Sequence, residues 1–203
     1  MKIKICGLTK PEEAEYLNRC GVDFAGIVLF YEKSRRNQTI EEAGEILRAL
    51  DASVKKVAVV VSPSAGEVRQ IEEAGFDYVQ IHGALSGDLV DKISIPVLKA
   101  FNVSDIGLYE KFCNCDKIAG YVFDAAEPGS GVAFDWNLLK SIPRDGKLFL
   151  LAGGLTPDNV AEAVAAVRPD GVDVSSGVEY SGRAGKSPEK IDLFVKRVRA
   201  VQY

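Results

Sequence analysis

Chemistry in this chain can begin at residue 6. Cys6 closes a short apolar run, Ile3–Cys6, and Gly7 after it lets the backbone turn tightly. A thiolate at such a strand end could act as a general base. Its ordinary pKa of about 8.5 then calls for positive potential nearby; a lone cysteine serves equally as a small buried hydrophobe. Asp124 follows a second apolar run, Ile118–Phe123. A carboxylate just past a buried strand is costly unless it faces a polar site. It could give a proton there, or cap the following turn.

Two further segments have the composition of anion-binding loops. Ala152-Gly153-Gly154-Leu155 and Asp173-Val174-Ser175-Ser176-Gly177-Val178-Glu179 each follow an apolar run, and their small residues let backbone N–H groups approach a phosphate. Arg35 and Arg36 follow the run Phe24–Phe30. Arginine grips a carboxylate through two parallel hydrogen bonds, although a solvated basic loop has the same composition. His82, after Tyr78–Ile81, could line a pocket or be a satisfied structural histidine, and Pro128-Gly129-Ser130-Gly131 suits a lid or a plain linker.

Elements able to position these residues are legible in the apolar pattern. Eight short runs rich in Val, Ile and Phe (Ile3–Cys6, Phe24–Phe30, Val57–Val61, Tyr78–Ile81, Val97–Phe101, Ile118–Phe123, Leu148–Ala152 and Gly171–Val174) are nearly continuous in hydrophobicity, as parallel strands covered on both faces are. Amphipathic stretches separate them: Pro11–Arg19 with Thr9 as cap, a helix from the capping box at Thr39 to Leu50, Ser64–Ala74, Ser86–Lys92, Ser104–Phe112, Asp135–Ser141, Pro157–Val167 and Pro188–Val201. Strict alternation implies a parallel sheet with right-handed crossovers, and eight units imply an α/β fold of the (β/α)8 TIM-barrel type, a single compact domain over residues 1–203. A doubly wound open sheet is the rival, and the missing Gly-x-Gly-x-x-Gly turn after the first strand counts against it. The odd residues all fall at the C-terminal strand ends, where barrels of this kind build their sites.

Composition narrows the class. The 203 residues are 47% hydrophobic and 27% charged with net charge −4, which suits a folded globular chain and does not suggest a nucleic-acid partner. No signal-like or membrane-length apolar stretch is present, so a cytoplasmic protein is expected with no membrane partner. Cys6, Cys20, Cys113 and Cys115 are too scattered for a disulfide framework, and Cys113-Asn114-Cys115 with a single histidine is a poor zinc site.

Taken together, Lys4-Ile5-Cys6-Gly7-Leu8-Thr9, Gln80-Ile81-His82-Gly83, Phe134-Asp135-Trp136, Ala152-Gly153-Gly154-Leu155 and Asp173-Val174-Ser175-Ser176-Gly177-Val178-Glu179 resemble the phosphoribosylanthranilate isomerase family of tryptophan biosynthesis. The resemblance runs over nearly the whole chain. It implies an Amadori rearrangement of N-(5-phosphoribosyl)anthranilate to 1-(2-carboxyphenylamino)-1-deoxyribulose 5-phosphate, with Asp124 as general acid and Cys6 as general base. It further implies Arg36 on the anthranilate carboxylate, with Arg35 as the less favoured neighbour. Gly153, Gly154, Ser175, Ser176 and Gly177 would hold the phosphate, and His82 would line the pocket. No cofactor or metal is expected, and the enzyme would work as a monomer or homodimer. Departures from the family's pattern lie at Val132-Ala133, where a polar pair is usual, and at Glu32 and Asn37-Gln38. Two alternatives stand beside this reading: a histidine-pathway aldose–ketose isomerase, for which two carboxylates would be expected, and a non-catalytic barrel that binds a phosphorylated ligand.

Overall fold

A computed structural model describes residues 1–124 and 135–201. The proposed lid, Pro128–Gly131, and the Val132-Ala133 departure lie outside the described residues. Eight parallel strands form a closed ring: β1 (Lys2–Cys6), β2 (Phe24–Leu29), β3 (Lys55–Val61), β4 (Tyr78–His82), β5 (Val97–Asn102), β6 (Ile118–Asp124), β7 (Leu148–Leu151) and β8 (Gly171–Val174). Each strand pairs with its neighbour in sequence, and β1 pairs with both β2 and β8, which closes the barrel. A two-residue strand, Asn37–Gln38, adds to the end of β2 against Val28 and Leu29.

Period-2 alternation divides each strand between two cores. Inward positions fill the barrel with a small cluster, including Phe24, Val57, Val59, Leu98, Ala100, Val122 and Leu150. At its base, the Phe24 and Tyr78 rings meet edge to face with centroids 5.6 Å apart. Outward positions, such as Ile3, Ile5, Ile27, Phe101 and Phe123, join the helices in the much larger outer core. Most of the buried apolar surface therefore lies outside the ring.

The helices are α1 (Pro11–Cys20), α2 (Ile40–Ala49), α3 (Ala65–Glu73), α4 (Gly87–Val90), α5 (Val160–Val167) and α6 (Pro188–Ala200). Thr39 caps α2 through the expected reciprocal box: its hydroxyl accepts from Glu42 N–H while the Glu42 carboxylate accepts from Thr39 N–H. For α1 the expectation needs correction. Lys10, not Thr9, is the N-cap, and the buried Glu13 carboxylate reaches back to accept from the N–H groups of both residues. Three other helices also differ from their sequence pattern. Val103–Lys111 and Trp136–Ser141 are 3-10 helices, and α4 is a single turn. The first of these carries Gly107, a poor α-helix former, after a Ser-Asp pair, and Pro143 follows the second within two residues. In the last, Ile93-Ser94-Ile95, with two β-branched residues, runs straight on to Pro96. Helix α5 starts at Val160, because Thr156 to Asn159 form a side-chain-bonded turn first.

Candidate active site

A cavity of about 610 Å³ opens at the C-terminal ends of the strands. Cys6, His82 and Asp124 line it from β1, β4 and β6, and Arg36 reaches it from the loop after β2. Gly153, Gly154, Ser175 and Ser176 complete the wall at the ends of β7 and β8. Of the sequence-derived site residues, Gly177 alone stands behind this wall. A Cβ there would sit 1.9 Å from the Leu155 carbonyl oxygen, so its lack of a side chain lets the two anion-type loops lie against each other.

Strand parity explains the selection. Lys4 and Cys6, Gln80 and His82, Asn102, Asp124 and Asp173 all occupy inward positions, directly above the apolar filling. In the ring β1 is separated from β6 by β7 and β8, which places Cys6 and Asp124 three steps apart around the mouth.

Two features of the loops fit an anion. Gly153 and Gly154 both have left-handed backbone (φ +84° and +64°). Among the described residues, no protein acceptor takes their N–H groups. The Gly154 carbonyl is turned the other way, accepting from the Asn159 amide at 2.9 Å. Beside them Ser175 Oγ donates to the Cys6 carbonyl at 2.9 Å, tying the β8 loop to the end of β1.

Cys6 sits among charges that sequence reasoning left unassigned. The Lys4 ammonium is fully buried and donates to Asp173 Oδ2 at 2.9 Å. A Cβ on Gly26 would lie 2.9 Å from Cys6 Sγ and 3.0 Å from Lys4 Nζ, so the sulfur and the ammonium share the space that Gly26 leaves open. Burial pushes the Cys6 thiol up, with Asp173 adding to the effect and Lys4 and Lys186 opposing it. Burial would lower Lys4, but Asp173 and then Cys6 outweigh it and raise its pKa. The signal for Lys4 was present in the sequence as a lysine at an inward position of a short strand.

His82 is held neutral. Burial, and after it the charges of Lys4 and Lys99, bring its pKa down to about 3. Its Nε2 lies 2.9 Å from the Gln80 amide nitrogen, and with that amide as donor the imidazole proton resides on Nδ1. Just beyond, Ser62 adopts a positive φ of 46°, donates its N–H to the His82 carbonyl and accepts the Ala84 N–H on its hydroxyl. Such strained backbone is characteristic of site rims.

The Arg36 side chain is anchored on one edge only. Nε donates to Glu179 Oε1 at 2.6 Å, while Nη2 is buried with no protein partner. Asn102 Oδ1, Gln80 Oε1 and Asp173 Oδ1 are likewise buried and unpartnered, and all four residues line the cavity. Unsatisfied buried polar atoms are uncommon and costly. Gathered around one cavity, they form a set of donors and acceptors suited to a polar, multiply charged ligand. Among the described residues no group of His, Cys, Asp and Glu has the arrangement of a metal site.

Comparison with known proteins agrees with this geometry. The family model described as N-(5′-phosphoribosyl)anthranilate (PRA) isomerase matches residues 3–197. The chain is 40% identical to the N-(5′-phosphoribosyl)anthranilate isomerase of Streptococcus pneumoniae over 98% of its own length and 96% of that relative. It is 39% identical to the enzyme of that name from Geotalea uraniireducens, covering 98% and 99% of the two chains. The crystal structure of phosphoribosyl anthranilate isomerase from Thermus thermophilus superposes with a TM-score of 0.85 at 31% identity and full coverage of both chains. A structure of such an enzyme in complex with reduced 1-(o-carboxyphenylamino)-1-deoxyribulose 5-phosphate gives 0.83 at 33% identity, covering 98% of each chain. With a matching model over nearly its entire length and relatives this similar, the chain belongs to the N-(5′-phosphoribosyl)anthranilate isomerase family.

Proposed function

We propose that this cavity isomerises N-(5′-phosphoribosyl)anthranilate in tryptophan biosynthesis by two positioned proton transfers, with Asp124 as the acid and Cys6 as the base. The reaction comes with the family. The division of labour rests on one observation above all: a thiol and a carboxyl face the same cavity from strands three steps apart, among buried polar atoms that lack protein partners.

In this reading Asp124 protonates the furanose ring oxygen, the C1′–O bond breaks, and the nitrogen lone pair forms an iminium. Cys6 then removes the C2′ proton. The electrons of that C–H bond move to C1′–C2′ and neutralise the nitrogen, giving an enolamine that tautomerises to the ketone. Positioned proton transfers of this kind each contribute roughly 10²–10⁴-fold. A thiol pushed up by burial carries little thiolate at neutral pH. The iminium charge next to it favours ionisation, as do Lys4 and Lys186. A neutral His82 adds no competing proton donor of ordinary imidazolium acidity.

The ends of the substrate are assigned by charge. The unpartnered Arg36 Nη2 suits the anthranilate carboxylate. The N–H groups of Gly153 and Gly154, with Ser175 and Ser176 on the neighbouring loop, suit the phosphate; Gly177 serves them by permitting the close loop packing. The same reading takes residues 1–203 as one domain acting as a monomer or homodimer. The four cysteines are free thiols, which suits the reducing cytoplasm, and no helix among the described residues is long and apolar enough to cross a membrane.

Kinetics of Cys6→Ala and Asp124→Asn provide the test. Each variant should lose turnover by at least roughly 10²-fold, the low end for one proton transfer, while still binding the reduced product analogue. Near-normal kcat in either would refute its assignment.

A further inference from the structure

Glu179 has no place in the proton transfers, yet the structure has built a small ion cluster around it. Its side chain is only 10% exposed. Oε1 accepts from Arg36 Nε at 2.6 Å and from Lys186 Nζ at 3.2 Å, and Oε2 accepts from Arg35 Nη2. Lys186 is itself buried and also donates to the carbonyl and hydroxyl oxygens of Ser175. Its backbone N–H is fixed by the Glu13 carboxylate at 2.7 Å. One carboxylate thus faces three cations, and the cluster is left with an excess of positive charge beside the cavity.

An arginine side chain has several rotatable bonds and would not by itself keep one edge toward a ligand. Here the Nε edge is occupied by Glu179, and the Arg36 stem lies so close to Gly7 that a Cβ on that glycine would be 2.4 Å from Arg36 Cδ. With both constraints in place, Nη2 remains at the cavity wall without a protein partner. Arg35, by contrast, is 71% exposed and can move away from Glu179 without disturbing the buried part.

We propose that Glu179 is the positioning residue of the carboxylate clamp: it holds the guanidinium of Arg36 by one edge so that the other is presented to the anthranilate carboxylate. Lys186 keeps Glu179 in place and ties it to Ser175 on the phosphate wall. This rests on the reading of Arg36 given above. Its consequence is ligand-specific. Loss of Glu179 weakens binding of carboxylated ligands and spares ligands that lack the carboxylate.

The experiment compares two probes by calorimetry: the reduced carboxyphenylamino-deoxyribulose 5-phosphate and its phenylamino counterpart without the carboxylate. Glu179→Gln, which keeps shape and removes charge, should weaken the first by roughly 10- to 100-fold, the range of a charge-assisted hydrogen bond. The second should change by less than about threefold, the scatter ordinary for single contacts. KM for the substrate should rise with kcat largely kept. Arg36→Ala should show the same selectivity, and the double variant should lose little beyond Arg36→Ala alone. Equal weakening of both probes by Glu179→Gln, or additive losses in the double variant, would overturn the proposal. If Arg36→Ala itself fails to discriminate between the probes, the reading of Arg36 is what falls. Should Glu179→Gln not fold, Glu179→Asp keeps the charge but withdraws it from Nε by one methylene. The same selective loss is expected of it, and equal losses again overturn the idea.

Discussion

Gly26→Ala tests whether the position of the Cys6 sulfur matters to the reaction. Gly26 has ordinary backbone geometry, with no left-handed φ, so alanine carries no conformational penalty there and only space is at issue. The added methyl would stand 2.9 Å from Cys6 Sγ, 3.0 Å from Lys4 Nζ and 3.1 Å from Cys6 Cα. Unstrained contacts lie near 3.5–4.0 Å, so the sulfur and ammonium must each retreat by roughly half an ångström to one ångström. The strands cannot slide apart to help. Cys6 and Gly26 are register partners, and the Gly26 carbonyl accepts from both Gly7 and Leu8 N–H at 2.8 and 3.0 Å. Overpacking of this size costs about 1–3 kcal/mol of stability, and a misplacement of about 1 Å at a reacting group can cost 10²-fold in rate. Fluorescence turnover of freshly generated substrate and thermal unfolding measure the two effects. Gly171→Ala is the control: its methyl would meet the Lys2 carbonyl at 2.6 Å and Leu150 Cδ2 at 2.7 Å, at the other end of the barrel. It should lower Tm and leave kcat alone. A folded Gly26→Ala variant with wild-type kcat would show that the sulfur's location is not what the reaction depends on.

Other outcomes follow from the charges. The chain has one histidine, so its ¹⁵N imidazole signals are unambiguous; His82 should stay neutral throughout pH 5–8, and a midpoint near 6.5 would contradict its burial between Lys4 and Lys99. Because its folded pKa of about 3 lies below the ordinary 6.5, its contribution to stability is complete above pH 6.5 and fades as pH falls toward 3. Burial disfavours ionised Glu179, but Arg36 and Lys186 outweigh it and hold the carboxyl at about 2 against an ordinary 4.5. Stability from this carboxylate should therefore be present above pH 4.5 and be lost as pH drops toward 2, a dependence that Glu179→Gln should flatten in acid-denaturation curves. Lys4→Met should cost about 3–5 kcal/mol in urea unfolding by stranding Asp173 as a buried charge, and adding Asp173→Asn should recover part of it; a neutral single variant would mean the pair contributes nothing.

The barrel was readable because both faces of its strands are covered, which leaves continuous apolar runs that can be counted. Cys6, Asp124 and the Gly153-Gly154 turn were readable because each breaks such a run at its end. The three weak helices were misjudged because amphipathic spacing reports which face is buried and not how many turns survive a Gly107 or a nearby Pro143. Glu179 and Lys186 escaped for a different reason. They meet through an isolated bridge and a side-chain ion pair at 3.2 Å, and the cluster is completed by the long reach of Arg36 from another loop, 143 residues away in sequence. Asp173 and Gln80 were visible as letters within recognised motifs. Their roles required knowing that inward parity carries them to the same layer as Lys4.

That parity also separates stability from chemistry within one strand. Outward residues such as Ile5, Phe101 and Phe123 belong to the extensive helix-facing core, whereas the barrel interior holds only a small apolar plug near its base. The upper interior can consequently be polar without endangering the fold, provided its charges are compensated in place. Lys4 with Asp173, and Glu179 with Arg36 and Lys186, supply that compensation. Each pair leaves one atom unmatched at the cavity, Asp173 Oδ1 in the first and Arg36 Nη2 in the second. A ligand that offers a donor to the one and a carboxylate to the other completes both networks. Such complementarity favours a hydroxylated ligand bearing a carboxylate over a bare sugar phosphate, because a ligand lacking either group leaves a buried polar atom without a partner.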